Sequence, residues 1–146
     1  MGSLQQLAEP AALLRCSLSS LEGLRQLPWL TRVFSSRTFR GQKTMVAPPL
    51  QWLGQRWDVQ LASVGDTIYI VGLSAVASNQ TSAEALPAAV YSRIERELGS
   101  PSRAASKLFA WDADDGNVVL RLHNHRGGWL VVVLFTSSVI RTFARA

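Results

Sequence analysis

Cysteine and long apolar runs are both scarce in this chain of 146 residues. Cys16 is the single cysteine, so no disulfide can form within the chain, and a lone thiol is typical of a reducing compartment. The longest apolar run, 129–135, is seven residues long, whereas about 18 to 20 are needed to cross a bilayer. We therefore expect an intracellular protein, cytoplasmic or organellar and not secreted, without a transmembrane span. The Arg-rich, Ser-rich composition of 1–45 leaves an organelle-targeting segment as an alternative use of that stretch.

Motifs for catalysis and ligand binding are missing as well. The sequence contains neither a Gly-x-Ser-x-Gly nucleophile motif nor a glycine-rich phosphate loop. His123 and His125 supply two zinc ligands, fewer than the three or more that a zinc site needs. Asp112, Asp114 and Asp115 lack the glycine and the glutamate that complete a calcium loop. We interpret these residues as turn and surface residues, and we predict no cofactor, no metal site and no enzymatic activity.

Acidic residues are scarce in the first part of the chain. Residues 1–57 carry seven Lys or Arg and two acids, while 58–146 carry eight of each. The net charge of +5 therefore comes from the first part. Charge of one sign concentrated in one segment favours contact with a negatively charged partner. The rest of the composition, with 47% hydrophobic residues, is that of one globular domain.

The first part of the chain predicts a helix followed by an arm. Apolar residues spaced by three and four over 4–21 form one helical stripe, with the main helix at about 10–27. The simplest interpretation is a helix packed on its own domain, and a partner helix or an oligomer interface is the alternative. Prolines and glycines interrupt any regular spacing of apolar residues over 28–54, which predicts an extended basic arm.

Arginine and phenylalanine are interleaved in this arm, a combination that suits an acidic protein surface or anionic lipid, and also the phosphates and bases of nucleic acid. A solvated or internally paired segment is the alternative that needs no partner. The residues that we expect at a partner contact are Leu14, Leu18, Leu21, Trp29, Arg32, Phe34, Arg37, Phe39, Arg40, Lys43 and Trp52.

From Trp57 onward the period changes to two, which predicts a hairpin that turns near 65–66. Apolar residues every four positions predict a helix at 84–98 that ends at Gly99. Three strands follow, at 108–112, 118–123 and 129–136. The last one does not alternate, so we expect both its faces to be buried.

The predicted fold class is therefore α+β. An N-terminal helix and an extended basic arm, 1–56, precede a small α+β domain, 57–146. That domain is a β-β-α-β-β-β antiparallel sheet with a helix packed on one face.

These features predict a non-enzymatic accessory or structural subunit that docks onto a larger protein assembly through its N-terminal helix and basic arm. The main alternative is an RNA- or DNA-binding accessory protein that uses the Arg/Phe arm. Peripheral contact with an anionic membrane would use the same charge. A small enzyme with no recognisable motif is the minor alternative.

Overall fold

One antiparallel sheet dominates the computed structural model, which describes residues 4, 11, 35–39, 42–64, 67–77 and 85–137. In chain order the described elements are β1 Ser35–Phe39, β2 Gln42–Trp52, β3 Gln55–Val64, β4 Thr67–Ala77, α1 Ala85–Leu98, β5 Arg103–Ala105, β6 Leu108–Ala113, β7 Gly116–His125 and β8 Gly128–Ser137. The lateral strand order is β1-β2-β3-β4-β8-β7-β6-β5. Two four-stranded meanders therefore meet at β4 and β8.

The sheet has one well-packed face, which we call the covered face. It is formed by alternate residues of the strands, as the period of two requires. Its central side chains are each at most 1% exposed: Trp57, Val59, Leu61, Val71, Leu73, Trp111, Val118, Leu120, Val131, Val133 and Phe135. Apolar burial of this extent is the main source of stability in a domain of this size.

Helix α1 packs on the covered face through Leu86, Val90 and Ile94, which are buried. Their spacing of four places them on one side of the helix. The helix ends because Gly99 has a φ of 84°, a left-handed conformation that glycine adopts readily. The Gly99 N–H donates to the Glu95 carbonyl oxygen at 2.7 Å. The predicted helix is therefore confirmed, with its first turn one residue later than expected.

An aromatic cluster fixes α1 to β6. The Tyr91 ring lies 5.1 Å from the Phe109 ring and 5.4 Å from the Trp111 ring, both edge-on. Edge-on contacts of this kind stabilise aromatic pairs beyond the area they bury. The Trp111 Nε1 donates to the Gly99 carbonyl oxygen at 3.0 Å, so the end of the helix is tied to the sheet.

The predicted arrangement of the first part of the chain is wrong. Residues 35–39 and 42–52 are strands rather than an extended arm, and the sheet begins at Ser35 instead of Trp57. A short further strand, β5, was not expected either. The described residues contain no N-terminal helix, and most of the predicted helix at 10–27 lies outside them. An antiparallel sheet with one helix still fits the α+β class in its broad sense.

Two prolines in β2 explain why this strand was interpreted as an arm. Pro48 and Pro49 lie where the β2–β3 register shifts, between Ala47 and Leu50. The pairing of β1 with β2 ends at Val46, so β1 does not need the missing N–H groups. Proline is tolerated in a strand at such irregular edge positions.

The N-terminal stripe of apolar residues is partly described, and that part lies in the core of this domain. Leu4 and Ala11 are both 0% exposed. The Leu4 N–H donates to Oδ1 of Asp115, in the β6–β7 turn, at 3.1 Å. A Cβ added to Gly116 would overlap the Thr136 carbonyl oxygen and lie 2.9 Å from Leu4 Cδ1. Leu4 therefore packs against the first residue of β7.

Candidate functional site

The second face of the sheet, which we call the open face, lies opposite the covered face and α1. It is formed by the alternate residues of the same strands. Its centre is aliphatic and consists of Ile70, Val76, Val119, Leu130, Val132 and Leu134. Five of these side chains are half-buried, and Val76 is 42% exposed. Val46, on β2 of the same face, is 39% exposed. The packing of the described residues does not explain an aliphatic surface with this exposure.

Strand register arranges the open face in rows that cross the sheet. One row runs from Asp58 on β3 through Ser74 and Val132 to Arg121 on β7. The next row runs from Gln60 through Gly72 and Leu134 to Val119. In both rows the residues on β4 and β8 carry no charge. The charged residues therefore flank an uncharged centre.

Gly72 gives the open face its shape near the middle. A Cβ at this position would lie 3.2 Å from Leu134 Cδ2 and 3.7 Å from the Gln60 carbonyl oxygen. The Leu134 side chain therefore lies close over the backbone of β4. Leu134 thus occupies space that a side chain at position 72 would otherwise take.

Asp58 and Arg121 are both exposed, and they stand on opposite sides of the β4–β8 pair. Among the described residues, neither takes part in an ion pair. Two strands separate them, so at about 4.8 Å per strand their backbones are about 14 Å apart. They are too far apart to pair with each other within one chain.

An open pocket lies beside the irregular part of β2. Its volume is about 230 Å³, and it is lined by Pro49, Leu50, Gln51 and Arg56. Arg56 is the single charged residue in this lining, and it is exposed. The pocket brings together no acid, base or nucleophile of the kind that catalysis requires.

The structure brings three of the sequence-predicted partner residues into the hairpin of β1 and β2. Arg37 pairs with Thr44, and Lys43 pairs with Thr38. Phe39 ends β1. Arg37 and Phe39 therefore lie on the edge strand β1 and Lys43 on the neighbouring strand β2, and their use in binding stays a prediction.

Trp52 ends β2, and its ring lies 5.5 Å from that of Trp57. The Trp57 Nε1 donates to the Trp52 carbonyl oxygen at 2.8 Å. Trp52 is half-buried and packs against the core, so part of its surface is used within the chain. The other predicted partner residues lie outside the described residues: Leu14, Leu18, Leu21, Trp29, Arg32, Phe34 and Arg40.

The histidines and aspartates belong to the β6–β7–β8 meander. His123 is exposed on β7, and this strand continues through His125 to a two-residue turn at Arg126 and Gly127. Asp115 has a structural role, because it accepts the Leu4 hydrogen bond. Within the described ranges, no three His, Cys, Asp or Glu side chains are grouped so as to hold a metal ion.

Two tyrosines have a raised pKa. Burial raises the pKa of Tyr69 above 10.0, because a desolvated phenolate is unfavourable. The pKa of Tyr91 is raised by desolvation first, and then by the charge of Glu95 and a hydrogen bond to its side chain. Both shifts therefore extend to higher pH the range over which these phenols stay protonated.

Sequence reasoning missed the open face as a site. The available signal was the apolar segment 129–135, which does not alternate and so predicts two buried faces. In the structure one face of β8 is buried and the other is half-buried.

Comparisons of the chain with protein-family models, with curated proteins and with solved structures found no match. None of the helical residues that the structure describes forms a helix long and apolar enough to span a membrane.

Proposed function

We propose that this protein is a non-enzymatic structural or accessory subunit that binds another protein chain through the open face of its sheet. The observation that carries the proposal is the aliphatic centre of this face, with Val76 exposed and Leu130, Val132 and Leu134 half-buried. A sheet face of this composition is stabilised when another layer covers it.

The distribution of charge supports a protein partner. Charged residues are depleted from the core of a protein–protein interface and lie at its rim. The open face has this pattern, because Asp58, Arg121 and Asp112 flank its uncharged centre. A phosphate-binding surface would instead concentrate positive charge where the nucleic acid lies. Both signs occur on this face, which favours protein over nucleic acid.

The open face replaces the N-terminal stripe as the favoured contact. Leu4 and Ala11, the described members of the stripe, are fully buried in the domain itself. Apolar area that is already removed from water within the chain contributes nothing further to an external contact. Docking by the leucines at 14, 18 and 21 stays a hypothesis of its own.

A capture experiment tests the proposal. Tagged protein is recovered from its native cell after nuclease treatment and at about 0.5 M salt. At this salt concentration charge contacts are screened but apolar contacts survive. Val76→Asp is compared with Ser92→Asp, a matched change at an exposed position of α1. We expect wild type and Ser92→Asp to retain the same protein chains and Val76→Asp to lose them, with unchanged circular dichroism in all three.

Two results would contradict the proposal. Retention of the same chains by Val76→Asp would exclude the open face. Loss of the bound material after nuclease treatment would instead favour nucleic acid, bound through the β1–β2 edge with Arg37 and Lys43.

A further inference from the structure

We infer that the partner on the open face is a second copy of this chain, packed face to face about a two-fold axis that runs along the strands between β4 and β8. This inference rests on the proposed function, because it identifies the occupant of the same surface. It follows from the register of the sheet and from the positions of two charges.

The position of the symmetry axis decides which strands of the two copies face each other. A two-fold axis that lies in the interface along the strands turns one sheet over and preserves position along the strand. It places β4 over β8 of the second copy, and β3 over β7 of the second copy, because these strands are symmetrically placed about the axis. Residues of one row then oppose residues of the same row.

The second step concerns charge. Asp58 and Arg121 belong to one row, on β3 and β7. Under this symmetry Asp58 opposes Arg121 of the second copy, and Arg121 opposes Asp58 of the second copy. One face therefore provides two opposite-charge pairs, and such self-complementarity is what a two-fold interface requires.

The third step concerns the apolar centre. Gly72 opposes Leu134 of the second copy, so an uncharged position and an aliphatic one face each other. Val76 opposes Leu130 of the second copy, and Ser74 opposes Val132 of the second copy. The contacts at the axis are then uncharged and mostly aliphatic, and the charged pairs lie outside them, as in the core and rim of protein interfaces.

The twist of the sheets is compatible with this arrangement. Aligned sheets pack about 10 Å apart with their strands rotated by about 30°. Strands β3 and β7 lie about 7 Å from the axis. A rotation of about 30° therefore displaces their residues by about one position along the strand. An arginine side chain spans that displacement.

The test uses purified full-length protein and its oligomeric state, measured by sedimentation equilibrium over a range of concentrations. Four variants are compared: Asp58→Arg, Arg121→Asp, the double variant, and Arg96→Glu as an equal charge reversal on the exposed side of α1. We expect a dimer for wild type and Arg96→Glu. Each single variant on the open face should raise the dimer Kd at least about ten-fold, because two like-charge pairs replace two opposite-charge pairs.

Mixing the two single variants of the open face provides the decisive measurement. In a mixture of the two single variants, the new arginine at 58 meets the new aspartate at 121, while the original Arg121 meets the original Asp58. We expect this mixture to form a heterodimer with affinity near that of wild type. The double variant should also recover dimerisation, since both pairs are reversed together.

Failure to recover affinity in the mixture or in the double variant would overturn the two-fold arrangement. A wild-type dimer whose Kd the single variants leave unchanged would overturn it too. A wild-type monomer at all concentrations would overturn the inference as a whole. If that monomer still loses its captured partner in Val76→Asp, the proposed function stands with a different protein on this face. If Val76→Asp instead lowers the melting temperature of a monomer and captures the same chains, another part of the same chain covers the face, and both proposals fail.

Discussion

The covered face and the open face are made by the same strands at alternate residues. In β8, the residues Val131, Val133 and Phe135 are fully buried, while Leu130, Val132 and Leu134 between them are half-buried. The two sets are equally apolar. Among the described residues, α1 and Leu4 pack on the first set and not on the second.

This difference shows that packing among the described residues does not account for every apolar residue of β8. A strand that is polar on one face and apolar on the other needs only its apolar face covered, as in an antiparallel sheet with one face in water. β8 carries a second apolar set on the open face, which is the observation that the proposed contact would explain. The four measurements that follow test whether the two faces differ as this interpretation requires, from the largest expected effect to the smallest.

Truncation of neighbouring residues on the two faces should have different effects on stability. Phe135→Ala leaves a cavity in the covered face and should lower the free energy of unfolding by about 3 to 5 kcal/mol. Leu134→Ala removes a half-buried side chain and should lower it by about 1 kcal/mol or less in dilute solution, since little area is lost. Urea denaturation at low protein concentration measures both. Equal losses would mean that the open face is covered within the chain.

A Cβ at Gly116 would test whether Leu4 belongs to the covered face. Gly116→Ala should destabilise the protein by about 2 kcal/mol or more, because backbone and Leu4 must both move. Gly127→Ala is the matched control: its φ is 81° but its Cβ has no neighbour within 4 Å, so about 1 kcal/mol is expected. Thermal denaturation compares the two variants. A smaller effect at Gly116 than at Gly127 would argue against the close approach of Thr136 and Leu4 to Gly116.

A smaller effect on stability is expected from removing a buried hydroxyl on the covered face. Ser63 is 0% exposed on the covered face, and its Oγ has no hydrogen-bond partner among the described residues. Ser63→Ala should leave the free energy of unfolding unchanged or raise it by up to about 1 kcal/mol, since an unsatisfied buried hydroxyl is unfavourable. Ser74→Ala, half-buried on the open face, should have almost no effect. A marked loss of stability in Ser63→Ala would show that its hydroxyl is satisfied.

The smallest expected effect concerns the tyrosine beside the covered face. Glu95→Gln removes one charge that raises the pKa of Tyr91, so this pKa should fall while that of Tyr69 stays unchanged. Ultraviolet titration of tyrosinate measures both, with Tyr91→Phe assigning the signals. Because the folded state holds both protons more tightly than the unfolded state, the stability that these two phenols contribute should be constant well below pH 10.0 and decline as pH rises above it. An unchanged Tyr91 pKa would remove Glu95 as a cause.

The second part of the fold was predictable because its signals are local. The spacing of Leu86, Val90 and Ile94 fixes α1, and alternation fixes β3 and β4 as a hairpin. β1 and β2 were missed because prolines and glycines in their region resemble a linker, whereas the bulge at 47–50 accommodates the prolines. β5 has three exposed residues and therefore no burial pattern to detect.

The candidate site was less predictable than the fold. Neighbouring strands in sequence often pair, but the pairing of β4 with β8 joins segments separated by α1 and three strands. That single pairing decides which residues share a row, and it places Asp58 level with Arg121. No local pattern contains this information, so the open face could be suspected from 129–135 but its charges could not be placed.

The two-meander topology also bears on how fast the chain folds. Among the described strands, six of the seven pairings join strands that follow each other in sequence, and β4–β8 is the long-range one. Local pairings close short loops and form early, whereas the entropy of loop closure and a high contact order slow the distant one. The rate-limiting event should therefore be the meeting of two partly formed half-sheets along β4 and β8. Mutations at that seam should slow folding, whereas mutations in the outer hairpins should mainly accelerate unfolding.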